Sequence, residues 1–146
     1  MRTVNRLFVV VSLAVLASAT SKDTPIEELK ARLQSTNSPD ERAKLCVAIA
    51  ERQVANADKL FQAGNSDQAQ AAVSDAVTYS GEARDAADVT GHRVKDTEIA
   101  VRKMIHRLSD MKRTVSFEDQ GPVQSAIEQM EKIRTDLLNR MFKGTK

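Results

Sequence analysis

Side chains able to hold a metal or cofactor are few, with one cysteine and two histidines in 146 residues. His92 and His106 lie on or beside one helical stretch, about 14 residues and hence roughly 21 Å apart along its axis. They cannot share an ion within one chain. No Cys/His spacing fits tetrahedral zinc, and no Glu-x-x-His pair fits a di-iron bundle. A sharper arrangement joins His106 to Met130. Each stands about 12 residues from the turn between their helices, at similar height in an antiparallel pair. A methionine and a histidine at one height would suit the axial positions of a haem or copper carrier. Against that, His106 falls beside the core positions Ile105 and Leu108, the phase of a flanking surface residue. Cys46 sits in the apolar run "AKLCVAIA" with no second cysteine to pair with. It reads as a small buried hydrophobe, the alternatives being a reactive thiol or a cross-link between two chains.

Nucleophilic and phosphate chemistry have less to stand on. Serines fall mostly at caps and turns, with no Gly-x-Ser-x-Gly elbow and no glycine-rich phosphate loop. The carboxylates fall on helix faces open to water, where nothing would shift their pKa for acid–base work. The expectation is a non-enzymatic protein with no catalytic residue, no metal site and no cofactor. Met104, Met111, Met130 and Met141 fall on inner stripes as core filling, the alternative being a flexible client-binding groove.

Charge concentrates on two consecutive stretches. Asp67, Asp75, Glu82, Asp85 and Asp88 stand against Arg84. Further on, Arg93, Lys95, Arg102, Lys103, Arg107, Lys112 and Arg113 stand against Asp96, Glu98 and Asp110. The simplest expectation is that the two stretches complement each other across an antiparallel pair, or are solvated faces. The sharper one makes Arg102, Lys103, Arg107, Lys112 and Arg113 an interaction surface. With no tryptophan and Phe117 the nearest aromatic, nucleic acid is not the partner to expect.

These residues are positioned by helices. Apolar residues recur at steps of three and four over 39–63 (Ala43, Val47, Ala50, Val54, Ala57, Phe61), over 66–90 (Ala69, Val73, Ala76, Val77, Ala83, Ala87), over 93–114 (Val94, Val101, Ile105, Leu108, Met111) and over 122–142 (Val123, Ile127, Met130, Leu137, Met141). A short leading helix over 25–35 carries Leu29 and Leu33. Thr24-Pro25-Ile26-Glu27, Ser38-Pro39-Asp40-Glu41 and Asn65-Ser66-Asp67-Gln68 each resemble a helix start, with Gly64 and Gly91 closing the preceding helices. Pro122 is placed to open the last one. Gly81, inside a helix and among small residues, suggests close packing against a neighbour. No segment alternates as a strand. The fold class expected is all-α: an antiparallel four-helix bundle with a short leading helix.

The N-terminus reads as an address. Arg2 and Arg6 precede the uncharged apolar run Leu7–Ala17, and Ala17-Ser18-Ala19 offers small residues for cleavage. The run is too short to cross a bilayer, which takes roughly 20 residues. Residues 1–19 are therefore expected to be a signal peptide cut after Ala19. That leaves 20–146 as a single domain without a transmembrane segment, secreted or periplasmic. Losing Arg2 and Arg6 brings the Lys plus Arg count level with the 20 Asp plus Glu, so the whole-chain excess of +2 says nothing about partners.

"LFQAGNSDQAQAAVSDA", residues 60–76, resembles the turn and second helix of a tetratricopeptide repeat, with Ala57, Leu60, Gly64, Ala69, Val73 and Ala76 at the corresponding spacings. The flanking helices are longer than that motif, Gly81 stands where its proline would be, and no second copy follows at its period of about 34 residues. One repeat-like hairpin inside a bundle is what the likeness implies. The whole chain also resembles a group of secreted bacterial helical-bundle proteins, through "RAKLCVAIAERQVANADKLFQAGNSDQAQAAV", the basic helix after it and the "FEDQGPV" turn. That resemblance implies fold and localisation, with no activity attached. The functional expectation is a protein–protein interaction or structural module with an unknown protein partner, in contact through the flank of Gly64 and the basic side of 93–114. The rival is a carrier of a small ligand, metal or haem, or a chaperone-like client binder. Oligomeric state is left open.

Overall fold

The computed structural model describes residues 24–144, which form five helices and, among the described residues, no strand. They are α1 (Ile26–Ser35), α2 (Pro39–Gln62), α3 (Ser66–Thr90), α4 (Val94–Lys112) and α5 (Phe117–Lys143). The protein is all-α, as its periodicity implied. The expected signal peptide lies outside the described residues.

Local chemistry accounts for most boundaries. Ser38 Oγ accepts the Glu41 N–H at 3.3 Å, and Pro39 opens α2. A proline costs nothing there, because the first helical N–H has no partner within the helix anyway. At its far end α2 closes in a Schellman turn. The Asn65 N–H donates to Leu60 O at 2.8 Å and the Gly64 N–H to Phe61 O at 3.0 Å, with Gly64 at φ +79°. Gly91, at φ +77°, ends α3.

Other expected starts are corrected. Pro25, not Thr24, is the residue preceding α1, and neither it nor Asn65 before α3 makes a side-chain capping bond. The last helix begins at Phe117, five residues before Pro122. Ser116 supplies the turn: its carbonyl accepts the Asp119 N–H at 3.1 Å. Glu118 and Asp119 then place negative charge in the first turn, where the helix dipole is positive. Pro122 is carried inside the helix near its start, where it withholds a single donor.

Consecutive helices are antiparallel, forming two hairpins, α2–α3 and α4–α5, that stack side by side. The α2–α3 interface is the most extensive in the molecule and α4–α5 comes next. The stacking sets α3 beside α5 in the same direction: Ser66 and Gln70 bond Asp119, Arg84 bonds Asp136, and Arg140 pairs with Asp88. Helix α2 lies beside α4, whereas α2 and α5 make no backbone approach among the described residues. Helices α3 and α4, though consecutive, meet only slightly. The expected complementarity between their charges is therefore not how those charges are used. Asp88 pairs with Arg140 of α5, while Arg93, Arg102 and Arg113 pair with Asp96, Glu98 and Asp110 of their own helix.

The main core gathers inner stripes from both hairpins, including Ala50, Val54 and Ala57 (α2), Val73 and Ala76 (α3), Val101, Met104 and Leu108 (α4), and Val123, Met130 and Leu137 (α5). A smaller cluster forms where α1 lies across the first hairpin, with Leu29 and Leu33 against Leu45, Cys46, Ile49 and Ala83. No buried side-chain nitrogen or oxygen lacks a hydrogen-bond partner among the described residues. Gly81 is not the close contact expected of it: a methyl group there would stand 4.0 Å from Ile133 Cδ1, an ordinary van der Waals separation.

Three stability effects follow, one of them opposite in sign to the other two. Gly81→Ala raises unfolding free energy by about 0.5–1 kcal/mol in urea denaturation, because the methyl fits and alanine has less backbone freedom to lose. Gly64→Ala lowers it by about 1–2 kcal/mol, since the left-handed backbone brings Cβ against the carbonyl oxygen. Leu137→Ala, at 1% exposure, costs about 2–5 kcal/mol. A destabilising Gly81→Ala would contradict the spacing described here.

Candidate functional site

The α2–α3 and α4–α5 turns lie at the same end of the stack, and a cleft of about 580 Å³ opens between them. Phe61, Met111 and Val115 give it apolar wall, and Asp58, Arg107 and Asp110 give it charge. Gly64 and Ser66 border it from the first turn, Thr114 and Ser116 from the second. Sites for small molecules span about 300–1,000 Å³, so the size suits a small ligand or an inserted side chain.

One wall is fixed by Asp119, only 5% exposed. Its carboxylate accepts three bonds, each 2.8 Å long, from Ser66 Oγ, Ser116 Oγ and Gln70 Nε2. Three elements are thereby joined: the start of α3, the α4–α5 turn and α5 itself. The hydroxyl of Ser116, then Gln70 and Ser66, hold the Asp119 carboxyl below its ordinary pKa of 3.8, outweighing the opposite effect of burial. A carboxylate with its acceptor sites so engaged is an anchor, since a general acid or base needs a proton site facing substrate. The expectation that the carboxylates lie on exposed faces is corrected here and at Glu98, both 5% exposed, and the expectation that nothing shifts them is corrected at Asp119. The signal in the sequence was Ser116-Phe117-Glu118-Asp119, which has the hydroxyl-x-x-acid spacing that favours a helix start.

The five basic residues marked as an interaction surface divide three ways. Arg102 and Arg113 are exposed and spend charge on neighbours in α4, at 3.6 Å from Glu98 and 3.8 Å from Asp110. Lys112 is half-buried and donates to Gln124 Oε1 of α5 at 2.8 Å. Lys103 and Arg107 are exposed and lie within electrostatic range of Glu51 of α2. Of the five, Arg107 alone lines the cleft, which also includes the Gly64 turn. The two surfaces singled out from sequence thus meet through one side chain.

Elsewhere, polar groups serve packing. Glu98, 5% exposed, accepts from Arg134 Nε of α5 at 3.0 Å and ties α4 to α5. At the end opposite the cleft, Asp40 of α2 accepts from Thr90 Oγ1 and lies 3.3 Å from His92 Nδ1. The Thr90 bond, foremost, holds the Asp40 carboxyl below its ordinary range. His92 is exposed there, and His106 is exposed on α4. Met130 is fully buried, so the His106–Met130 pairing that similar height suggested does not converge on one space. Met104, Met111 and Met130 are core residues, Met111 also reaching the cleft. Cys46 is buried beside Glu82, and burial, then the Glu82 charge, pushes its thiol up to about 12. That suppresses the thiolate at neutral pH. Among the described residues no group of three or more His, Cys, Asp or Glu could hold a metal ion. Nor is any helix among them long and apolar enough to cross a membrane.

The depressed Asp119 pKa sets a pH dependence. Its contribution to stability is fully present above 3.8, the ordinary carboxyl value, and is lost as pH falls through the lower folded value. Asp119→Ala strands three donors and lowers the thermal midpoint at neutral pH. The gap from the parent chain then narrows as pH drops below 3.8, and calorimetry at stepped pH measures both. A gap unchanged between neutrality and strong acid would contradict this role. No family model matches the chain, and no curated protein or solved structure matches it.

Proposed function

We propose that this chain is an exported, non-enzymatic protein-binding module. In this reading it is a four-helix bundle with a short leading helix and one tetratricopeptide-like hairpin. A signal peptide cut after Ala19 carries it to the periplasm or outside the cell. One observation carries the proposal: the flank of Gly64 and the basic side of α4 open onto a common cleft, through Gly64 and Arg107. Apolar wall beside charge at a rim suits a protein side chain inserted from a partner. The way the other polar groups are used supports the same reading. Asp119, Glu98 and Asp40 are committed to joining helices, and the Cys46 thiol is held protonated.

A second reading, a carrier for a small ligand, draws on the volume of the same cleft. Native mass spectrometry of protein purified from its own compartment separates the two, since a carrier leaves with a reproducible mass excess.

A photo-crosslinking residue at Thr114, on the cleft, should capture a discrete protein in the cell envelope. The same residue at Lys132, exposed on α5, should not. Arg107→Glu should abolish the Thr114 adduct while leaving thermal stability within about 0.5 kcal/mol, as expected of an exposed position. Identical adducts from both positions would remove the cleft from consideration. The mature chain should begin at Thr20 by intact mass, and a chain retaining Met1 would withdraw the export step.

A further inference from the structure

The most exposed large apolar side chain among the described residues is Phe117, 85% exposed at the first position of α5. It does not line the cleft, but Ser116 before it and Asp119 after it do. A phenyl ring standing in water thus borders a cavity whose apolar wall comes from Phe61, Met111 and Val115. Ring and wall each keep apolar surface wet that contact between them would remove.

Charge on the same cleft is left in a similar state. Asp58 of α2 is half-buried, and its carboxylate makes no hydrogen bond or ion pair among the described residues. Arg107 of α4 is exposed, has Glu51 in electrostatic range, and forms no ion pair among them either. An acid and a base therefore line one cavity without pairing with each other. Asp110, the other acid at the rim, is only loosely engaged, 3.8 Å from Arg113.

We infer that the partner in this cleft is a second copy of the chain, seated turn end to turn end about a two-fold axis. The inference rests on the cleft reading above and names its occupant. In a two-fold contact one patch serves both subunits, so each residue that reaches across is answered by its own counterpart. Such a patch must carry plug and socket, and acid and base, on a single surface. This one does. Phe117 of each copy enters the cavity of the other, and Arg107 of each meets Asp58 of the other, which closes two ion pairs at once. A partner of different sequence would need the socket alone, and would leave the ring beside it without a use. The cleft of about 580 Å³ has room for a phenyl ring together with the arginine head. Aromatic and arginine side chains are the ones enriched in contacts of this kind. A formal net charge of only +2 leaves little long-range repulsion between copies.

Sedimentation of protein purified from its own compartment, at tens of micromolar, tests this. The parent chain should run as a dimer. Phe117→Ser, at a position too exposed to matter to the fold, should weaken the dimer by about a hundredfold or more, because each dimer loses two buried rings. Asp58→Arg and Arg107→Glu should each run as monomers, since each variant sets like charges face to face. Mixing those two variants in equal amounts should restore a dimer holding one of each, because every facing pair is again opposite in sign. If Asp58→Arg lacks helical dichroism, Phe117→Ser and Arg107→Glu decide. A monomeric parent chain, a mixture that stays monomeric, or a dimer that Phe117→Ser and Arg107→Glu leave intact overturns the inference. The cleft reading fails separately. A Thr114 adduct with a different protein removes the second copy and keeps the cleft, whereas identical adducts from Thr114 and Lys132 remove the cleft itself.

Discussion

Helix α3, which packs along α2 and beside α5, has almost no large side chain buried in it. The buried positions of α3 are Ala69, Ala72, Val73, Ala76, Ser80, Ala83 and Ala87. Small residues let neighbouring backbones come close, and α3 uses that to meet α2 along its length and α5 beside it. Larger residues are supplied from the partners: Ile49 and Val54 from α2, Met130 and Leu137 from α5. Close packing of interiors rewards this alternation of small against large. Ser80, wholly buried, remains tolerable because its hydroxyl donates to Ala76 O at 2.7 Å inside the helix. A bulky residue on this face would separate three helices at once.

Small residues permit approach but do not choose a register, and polar groups near the helix ends do that. Asp119 accepts from Ser66 and Gln70 where α3 and α5 begin, and Arg140 meets Asp88 where α3 nears its end. Arg84 and Asp136, 2.8 Å apart, repeat the relation between them. Exposed pairs of this kind are individually weak, while the bonds to the buried Asp119 would be expensive to leave unmade. The register in turn decides which side chains face one another across the turn end, and hence brings Arg107 and the Gly64 turn to a common cleft. Geometry at that proposed binding site is a consequence of how α3 and α5 are aligned.

Stability is unevenly distributed over this frame. The stacked hairpins share one continuous core, whereas α1, ten residues long, adds Leu29 and Leu33, with Ile26 partly buried beside them, to a satellite cluster. Ordering those residues opposes much of what the leucines contribute.

Much of this architecture was legible in the sequence because it rests on local rules. Steps of three and four between apolar residues located the helices, Ser38-Pro39 and Gly64 marked ends with their own hydrogen bonds, and Met104, Met111 and Met130 fell on inner stripes as core residues, with Met141 half-buried beside them. The start of α5 was misplaced because a proline is a loud signal and Ser116-x-x-Asp119 a quiet one. Gly81 was misjudged because the room beside it depends on Ile133, more than fifty residues away. Pairing between helices was beyond the sequence for the same reason. Periodicity says that a stripe must be buried but not against which partner, so the charges of α3 and α4 could be read as meeting each other or as solvated faces, and the fold has Asp88 of α3 pair with Arg140 of α5 while Arg93, Arg102 and Arg113 pair within α4. Tertiary structure alone decided that hairpins stack with α3 beside α5, that Asp119 becomes their common anchor, and that Leu29 and Leu33 of α1 join one apolar cluster with Cys46 and Ala83. Each of these is a contact between residues far apart in the chain, and only the packed fold fixes their distance.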